Sequence, residues 1–132
     1  MTNNSWRCYW APFAWAAVLF VLSSIPDLHP PIHISRWDDK YGHVLIYIPL
    51  GFLLMHSLMS SSRQIAIRRL AVLAVLLGTA YGIFDEFHQY FVPGRSTDWL
   101  DVAADCLGTI LGSIIYLKLP EHWQEKLRAL RI

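Results

Sequence analysis

The chain has 132 residues, the length of one domain, and is 55% hydrophobic but only 16% charged. A soluble domain runs about 45–50% apolar and about 25% charged, so an ordinary soluble surface is hard to build from this composition. A net charge of +1 gives no basis for a nucleic-acid partner, and the two cysteines, Cys8 and Cys106, are too few and too far apart for a disulfide framework.

Four apolar runs follow one another along the chain. A transmembrane helix needs about 20 mostly apolar residues. Spans are therefore expected at residues 8–26, 42–59, 70–91 and 100–119. A buried core helix would suit runs of this length too. Four such runs in so short a chain, however, leave too little polar surface to cover them. In lipid the backbone must satisfy itself, so the spans are helices. The expected fold is all-α: a polytopic membrane protein, four transmembrane helices in one bundle, forming a single domain over residues 1–132.

The first run carries a weak signal-peptide pattern, with Arg7 before it and Val21-Leu22-Ser23 within it. Its length, and the interfacial aromatics Trp6, Tyr9 and Trp10, favour an uncleaved span. Basic residues set the orientation. Arg7, Arg63, Arg68, Arg69, Lys118, Lys126, Arg128 and Arg131 fall on one side, against Arg36, Lys40 and Arg95 on the other. The richer side is expected to be cytoplasmic, with both termini there and the loops at 27–41 and 92–101 outside. The tail 120–132 starts with Pro120, a good first helical residue. Trp123, Leu127 and Leu130 share one face, which reads as a short helix on the inner membrane surface, or else as a frayed terminus.

The charge gathers at one membrane depth. Lys40, His43 and Tyr47 share a face of the second helix. Gly82, Glu86 and Gln89 share a face of the third. The stretch FDEFHQYFVPGRSTDWLD then leads into a stripe of Asp98, Asp101, Asp105, Gly108 and Gly112 on the fourth. The glycines make a small-xxx-small pattern that lets another backbone come close. An ionisable group within a span costs about 2.5–3.5 kcal/mol on insertion scales, so these faces should point at one another.

Imidazole and carboxyl groups are common proton carriers, so Glu86 and His43 are the catalytic candidates. Lys40 and Arg95 suit phosphate, Arg95 through a two-bond fork set by the Pro93-Gly94 turn. Gln89 would orient a substrate or a carboxylate, and Tyr47 would donate to a leaving oxygen. The competing reading is structural: a salt-bridge network ordering the bundle, His43 reaching for the interface, Arg95 pairing with Asp98 or Asp101, and Tyr47 facing lipid. Asp98, Asp101 and Asp105 could hold Mg²⁺ on one face, but Asp98 suits a helix cap equally well, and no metal ligand is assigned. His29 and His33 flank two prolines and read as loop.

The order Asp39-Lys40 with His43 and Tyr47, then Glu86-x-x-Gln89, then Pro93-Gly94-Arg95, then Asp101 and Gly108-x-x-x-Gly112, resembles the VanZ-like family of small bacterial integral membrane proteins. The resemblance covers roughly residues 12–118. It implies functional positions at Lys40, His43, Tyr47, Glu86, Gln89, Arg95 and Asp101, with Asp101 counted among the substrate-binding set. One position departs: family members usually carry Asn where this chain has Asp105. The resemblance further implies a multi-pass protein of the bacterial cytoplasmic membrane, with a proposed action on a phosphate-linked lipid head group or lipid-linked envelope precursor at the outer leaflet. A non-catalytic membrane module that binds a lipid or glycopeptide and so alters antibiotic sensitivity is the second expectation. A small transporter or assembly subunit is the third, and four helices would then require a homodimer. The partner expected is a membrane lipid or lipid-linked substrate. The sequence names no cofactor.

Overall fold

The computed structural model describes residues 8–26, 37–62 and 64–130. His29, His33, Trp6, Arg7, Arg36, Arg63 and Arg131 lie outside these. Among the described residues there are five helices and no strand: α1 (Trp10–Ser23), α2 (Asp38–Ser61), α3 (Ile67–Gln89), α4 (Trp99–Lys118) and α5 (Glu121–Leu130).

The helices α2, α3 and α4, with 24, 23 and 20 residues, are each long and apolar enough to cross a membrane. The first helix is not. It has 14 residues, which at 1.5 Å per residue is about 21 Å, short of a hydrocarbon core of about 30 Å. A 3-10 turn at Cys8 and Tyr9 precedes it, and it ends at Ser23, ahead of Pro26. Proline disfavours helical geometry in the residue before it. By length and composition three spans stand, where four are expected from the apolar runs.

Hydrogen bonds fix α1 along the other helices. At one end the Tyr9 hydroxyl meets Ser61 Oγ at 2.7 Å, and Ser57 Oγ donates to the Cys8 carbonyl. Midway, Trp15 Nε1 donates to the Ile46 carbonyl at 2.9 Å and the Tyr81 hydroxyl donates to Ala16. At the far end Ser24 Oγ pairs with His88 Nε2 at 2.9 Å.

The most extensive pairing is between α2 and α4. A Cβ on Gly108 would collide with the Val44 carbonyl, and one on Gly112 with the Ile48 carbonyl. Both sequences ascend together, so the two helices run parallel. The glycine stripe expected to admit a backbone therefore admits α2. In return Gly51 accepts the backbone of Thr109. Burial is inverted relative to a soluble protein. Asp85, Glu86, Gln89, Asp101, Asp105, Thr109 and Ser113 are inside, while Leu45, Val72, Leu76, Ile83 and Ile115 are exposed. An apolar surface of that extent fits lipid as its solvent. An apolar cluster of Met55, Leu58, Leu70, Ala74 and Tyr116 fills the bundle near the α2–α3 connection, and Leu127 of α5 packs onto it. The tail is thus helical rather than frayed.

Candidate functional site at the polar end of the bundle

The parallel register of α2 and α4 decides which polar groups meet. One turn before the Val44–Gly108 contact, His43 lies beside Asp105, with Nδ1 to Oδ1 at 2.9 Å. A further turn back, Lys40 Nζ lies 2.6 Å from Asp101 Oδ1 and 2.8 Å from Asp98 Oδ2. Asp39 follows at 3.9 Å. Asp101 and Asp105 are essentially inaccessible, at 2% and 0% exposure.

Asp98 joins the third helix to the other two. Its Oδ1 accepts from the Leu100 N–H at 3.0 Å and caps α4, as expected for a residue just before Trp99. Its own N–H donates to Glu86 Oε2 at 3.0 Å. One Glu86 oxygen is thereby fixed. The other, Oε1, is buried with no hydrogen-bond partner among the described residues. One turn on, Gln89 Nε2 donates to Asp85 Oδ2 at 3.1 Å, with both residues buried. Gln89 thus contacts a neighbouring carboxylate, that of Asp85.

Tyr47 is wholly buried, not lipid-facing. It packs with Leu19 and Leu50, and its ring centroid lies 6.3 Å from that of Tyr81. Arg95 leaves a turn in which Gly94 has φ 77°, a left-handed value that glycine adopts freely, and its N–H returns to the Val92 carbonyl at 3.2 Å. The turn aims Arg95 Nη2 at the Leu22 carbonyl, 3.0 Å away, at the end of α1. Lys40, His43, Glu86 and Asp101 therefore share one polar cluster, Gln89 and Tyr47 brace its sides, and Arg95 ties α1 to the rim.

The three acids considered for a metal divide their work. Asp98 and Asp101 hold Lys40, while Asp105 holds His43. Among the described residues, the set whose ligand atoms do converge is Asp39, His43 and Asp101, all within 4.8 Å of one another. The ammonium of Lys40 already supplies a positive charge to this set.

Two residues outside the expected set matter. Asp105, the departure from the family pattern, is the partner of His43. Asp85 is the partner of Gln89, a link legible from their i, i+4 spacing. Outside the cluster, between the end of α3 and the start of α4, a groove of about 360 Å³ is lined by Ile83, Glu86, Phe87, Tyr90, Thr97, Asp98 and Trp99. Phe87, Tyr90 and Trp99 are at least 65% exposed and form its open side.

A family model described as VanZ/LLP1 matches residues 2–120. The chain belongs to the VanZ/LLP1 family. No curated protein and no solved structure matches it.

Proposed function

We propose that this member of the VanZ/LLP1 family acts on the head group of a membrane amphiphile, a lipid or a lipid-linked envelope precursor, at the outer leaflet of the cytoplasmic membrane. The groove carries this reading. It opens among aromatic side chains on the apolar surface and ends at a buried carboxylate, Glu86. An amphiphile in the bilayer reaches such a groove sideways, tail in lipid and head group at the acid. The Trp99 and Tyr90 rings suit the membrane–water interface at that depth.

Hydrolysis or exchange at a head-group linkage needs one group to take a proton from the incoming oxygen and one to return a proton to the leaving oxygen. Glu86 and His43 are the two groups for this. His43 is held through Nδ1 by Asp105, which leaves Nε2 to work. Lys40 is engaged by Asp98 and Asp101, so a phosphate would have to displace Asp98 to use it. In this reading both termini are cytoplasmic. Helix α1 is the fourth span, supported by bonds that tie Tyr9 and Ser24 to opposite ends of α2 and α3.

The test is head-group turnover by the purified protein on a panel of bacterial lipids, comparing wild type with Glu86→Gln. Gln keeps the volume and the acceptor for the Asp98 N–H but cannot take a proton. Loss of turnover with an unchanged melting temperature is expected. Full turnover in Glu86→Gln sinks the catalytic assignment. Saturable lipid binding without turnover in wild type replaces the enzyme with a non-catalytic binding module.

A further inference from the structure

Taking the groove as the entrance for a membrane amphiphile, we propose that its head group carries a protonated amine, bound by the free oxygen of Glu86 within the aromatic walls of Phe87, Tyr90 and Trp99. The charged side chains lining the groove are Glu86 and Asp98, and both are acids. Among the described residues, no basic side chain lines it. The nearest ammonium, Lys40, contacts Asp98 from its Oδ2 side at 2.8 Å, where it also meets the inaccessible Asp101. Among the described residues, an anionic head group entering here would meet the Glu86 carboxyl and an Asp98 already paired with Lys40, and no cation on the groove wall.

The geometry of Glu86 strengthens the point. The carboxylate is not free to swing, because Oε2 accepts the Asp98 N–H at 3.0 Å. Oε1 is left buried without a donor among the described residues, on a residue that is 6% exposed. A buried acceptor left unpaired is costly, and a donor from the ligand removes that cost. An ammonium brings three donors and a positive charge. The surrounding rings add to the same preference, since the faces of Trp, Tyr and Phe attract cations. A held carboxylate at the base and aromatic faces at the sides together recognise an amine, whereas the phosphate expected from Lys40 and Arg95 finds neither of them in the groove. Lys40 is taken by the acids, and Arg95 bonds to the end of α1.

The experiment uses the full chain in dodecyl maltoside, whose head group is neutral. Three brominated twelve-carbon probes of equal chain length carry an ammonium, a phosphate or a hydroxyl. Binding is read as bromine quenching of Trp99, isolated by subtracting the signal of Trp99→Phe. The ammonium probe is expected to bind at least about tenfold tighter than the other two, the order of a charge-assisted bond in a desolvated site. In Glu86→Gln the preference is expected to vanish while the hydroxyl probe binds as before. Equal binding of all three probes, tightest binding of the phosphate, or an ammonium preference that survives Glu86→Gln overturns the proposal. The head-group series in the unmodified chain decides the question even if Glu86→Gln folds poorly. Absence of Trp99 quenching by every probe removes the amphiphile entrance itself, and the amine proposal with it.

Discussion

His43 Nδ1 stands 2.9 Å from Asp105 Oδ1 across a sequence separation of 62. The contact exists because α2 and α4 are parallel and nearly touching, with Gly108 against the Val44 carbonyl one turn away. A side chain at position 108 would push the helices apart and lengthen the His43–Asp105 and Lys40–Asp101 contacts together. The glycine stripe and the polar stripe are thus two parts of one device. The first sets the distance at which the second can pair.

The pairing predicts an asymmetry between single and double substitutions. Asp105→Ala leaves a buried imidazole without its carboxylate and is expected to cost about 1–3 kcal/mol. His43→Leu should cost a comparable amount by stranding the carboxylate. The double variant, His43→Leu with Asp105→Ala, removes both polar groups and should recover much of the loss, giving a coupling of about 0.5–3 kcal/mol. Unfolding titrations in mixed detergent measure all three. Strict additivity would show that the two groups do not depend on each other.

The glycines predict effects of opposite sign. Gly108→Ala places a Cβ against the Val44 carbonyl and 2.8 Å from the Tyr47 Cβ, and Gly112→Ala places one against the Ile48 carbonyl. Each should destabilise by about 1–3 kcal/mol, as overpacking does. At Gly42, in α2, an added Cβ meets nothing within 4 Å. Gly42→Ala should therefore stabilise by about 0.5–1 kcal/mol through the lower helix propensity of glycine. Melting temperatures of the three variants check this. A neutral Gly108→Ala would mean that α2 and α4 are not held this close.

Much of this was readable from residue spacing, and the missing parts share a cause. Helical periodicity puts Lys40 with His43, Glu86 with Gln89 and Asp101 with Asp105, because those relations lie within one helix. The Gly108 and Gly112 pattern announces a close neighbour but does not say which. Nothing local distinguishes α2 from α3 as that neighbour, so the pairing of His43 with Asp105 is not legible in the sequence, where Asp105 reads as a departure from the family pattern and as a possible magnesium ligand. Arg95 shows the same limit. Pro93-Gly94 foretells a turn, while the Leu22 carbonyl it reaches is set by the docking of α1. The length of α1 misled for another reason. Hydropathy marks residues 8–26 as apolar throughout, but the helix occupies only Trp10–Ser23 of that run.

Topology predicts a labelling pattern. Arg68 and Arg69 lie by the α2–α3 connection, whereas the α3–α4 connection has Arg95 alone. With Cys8 and Cys106 replaced, an impermeant maleimide should label Thr97→Cys in intact cells and reach Ser62→Cys only after permeabilisation. The reverse pattern would turn the protein over and place the groove in the inner leaflet.

Lys40 separates a structural from a functional use of the cluster. Its ammonium lies 2.6 Å from Asp101, which is 2% exposed, so Lys40→Met leaves a buried carboxylate uncompensated. Removing one partner of a buried pair typically costs about 3–5 kcal/mol, and the melting temperature should drop accordingly. The lost charge can be replaced from solution. Asp39, His43 and Asp101 each offer a ligand atom within 4.8 Å of the others, a set of oxygen and nitrogen donors that Mn²⁺ accepts. Added Mn²⁺ should therefore raise the melting temperature of Lys40→Met well above its effect on wild type, where the ammonium competes for Asp101. The further change His43→Gln in the Lys40→Met background should abolish that response, because it removes the imidazole ligand. If Lys40→Met melts like wild type yet loses lipid turnover, the ammonium belongs to the substrate rather than to Asp101. If Mn²⁺ shifts both chains equally, the three ligands do not form a cation site.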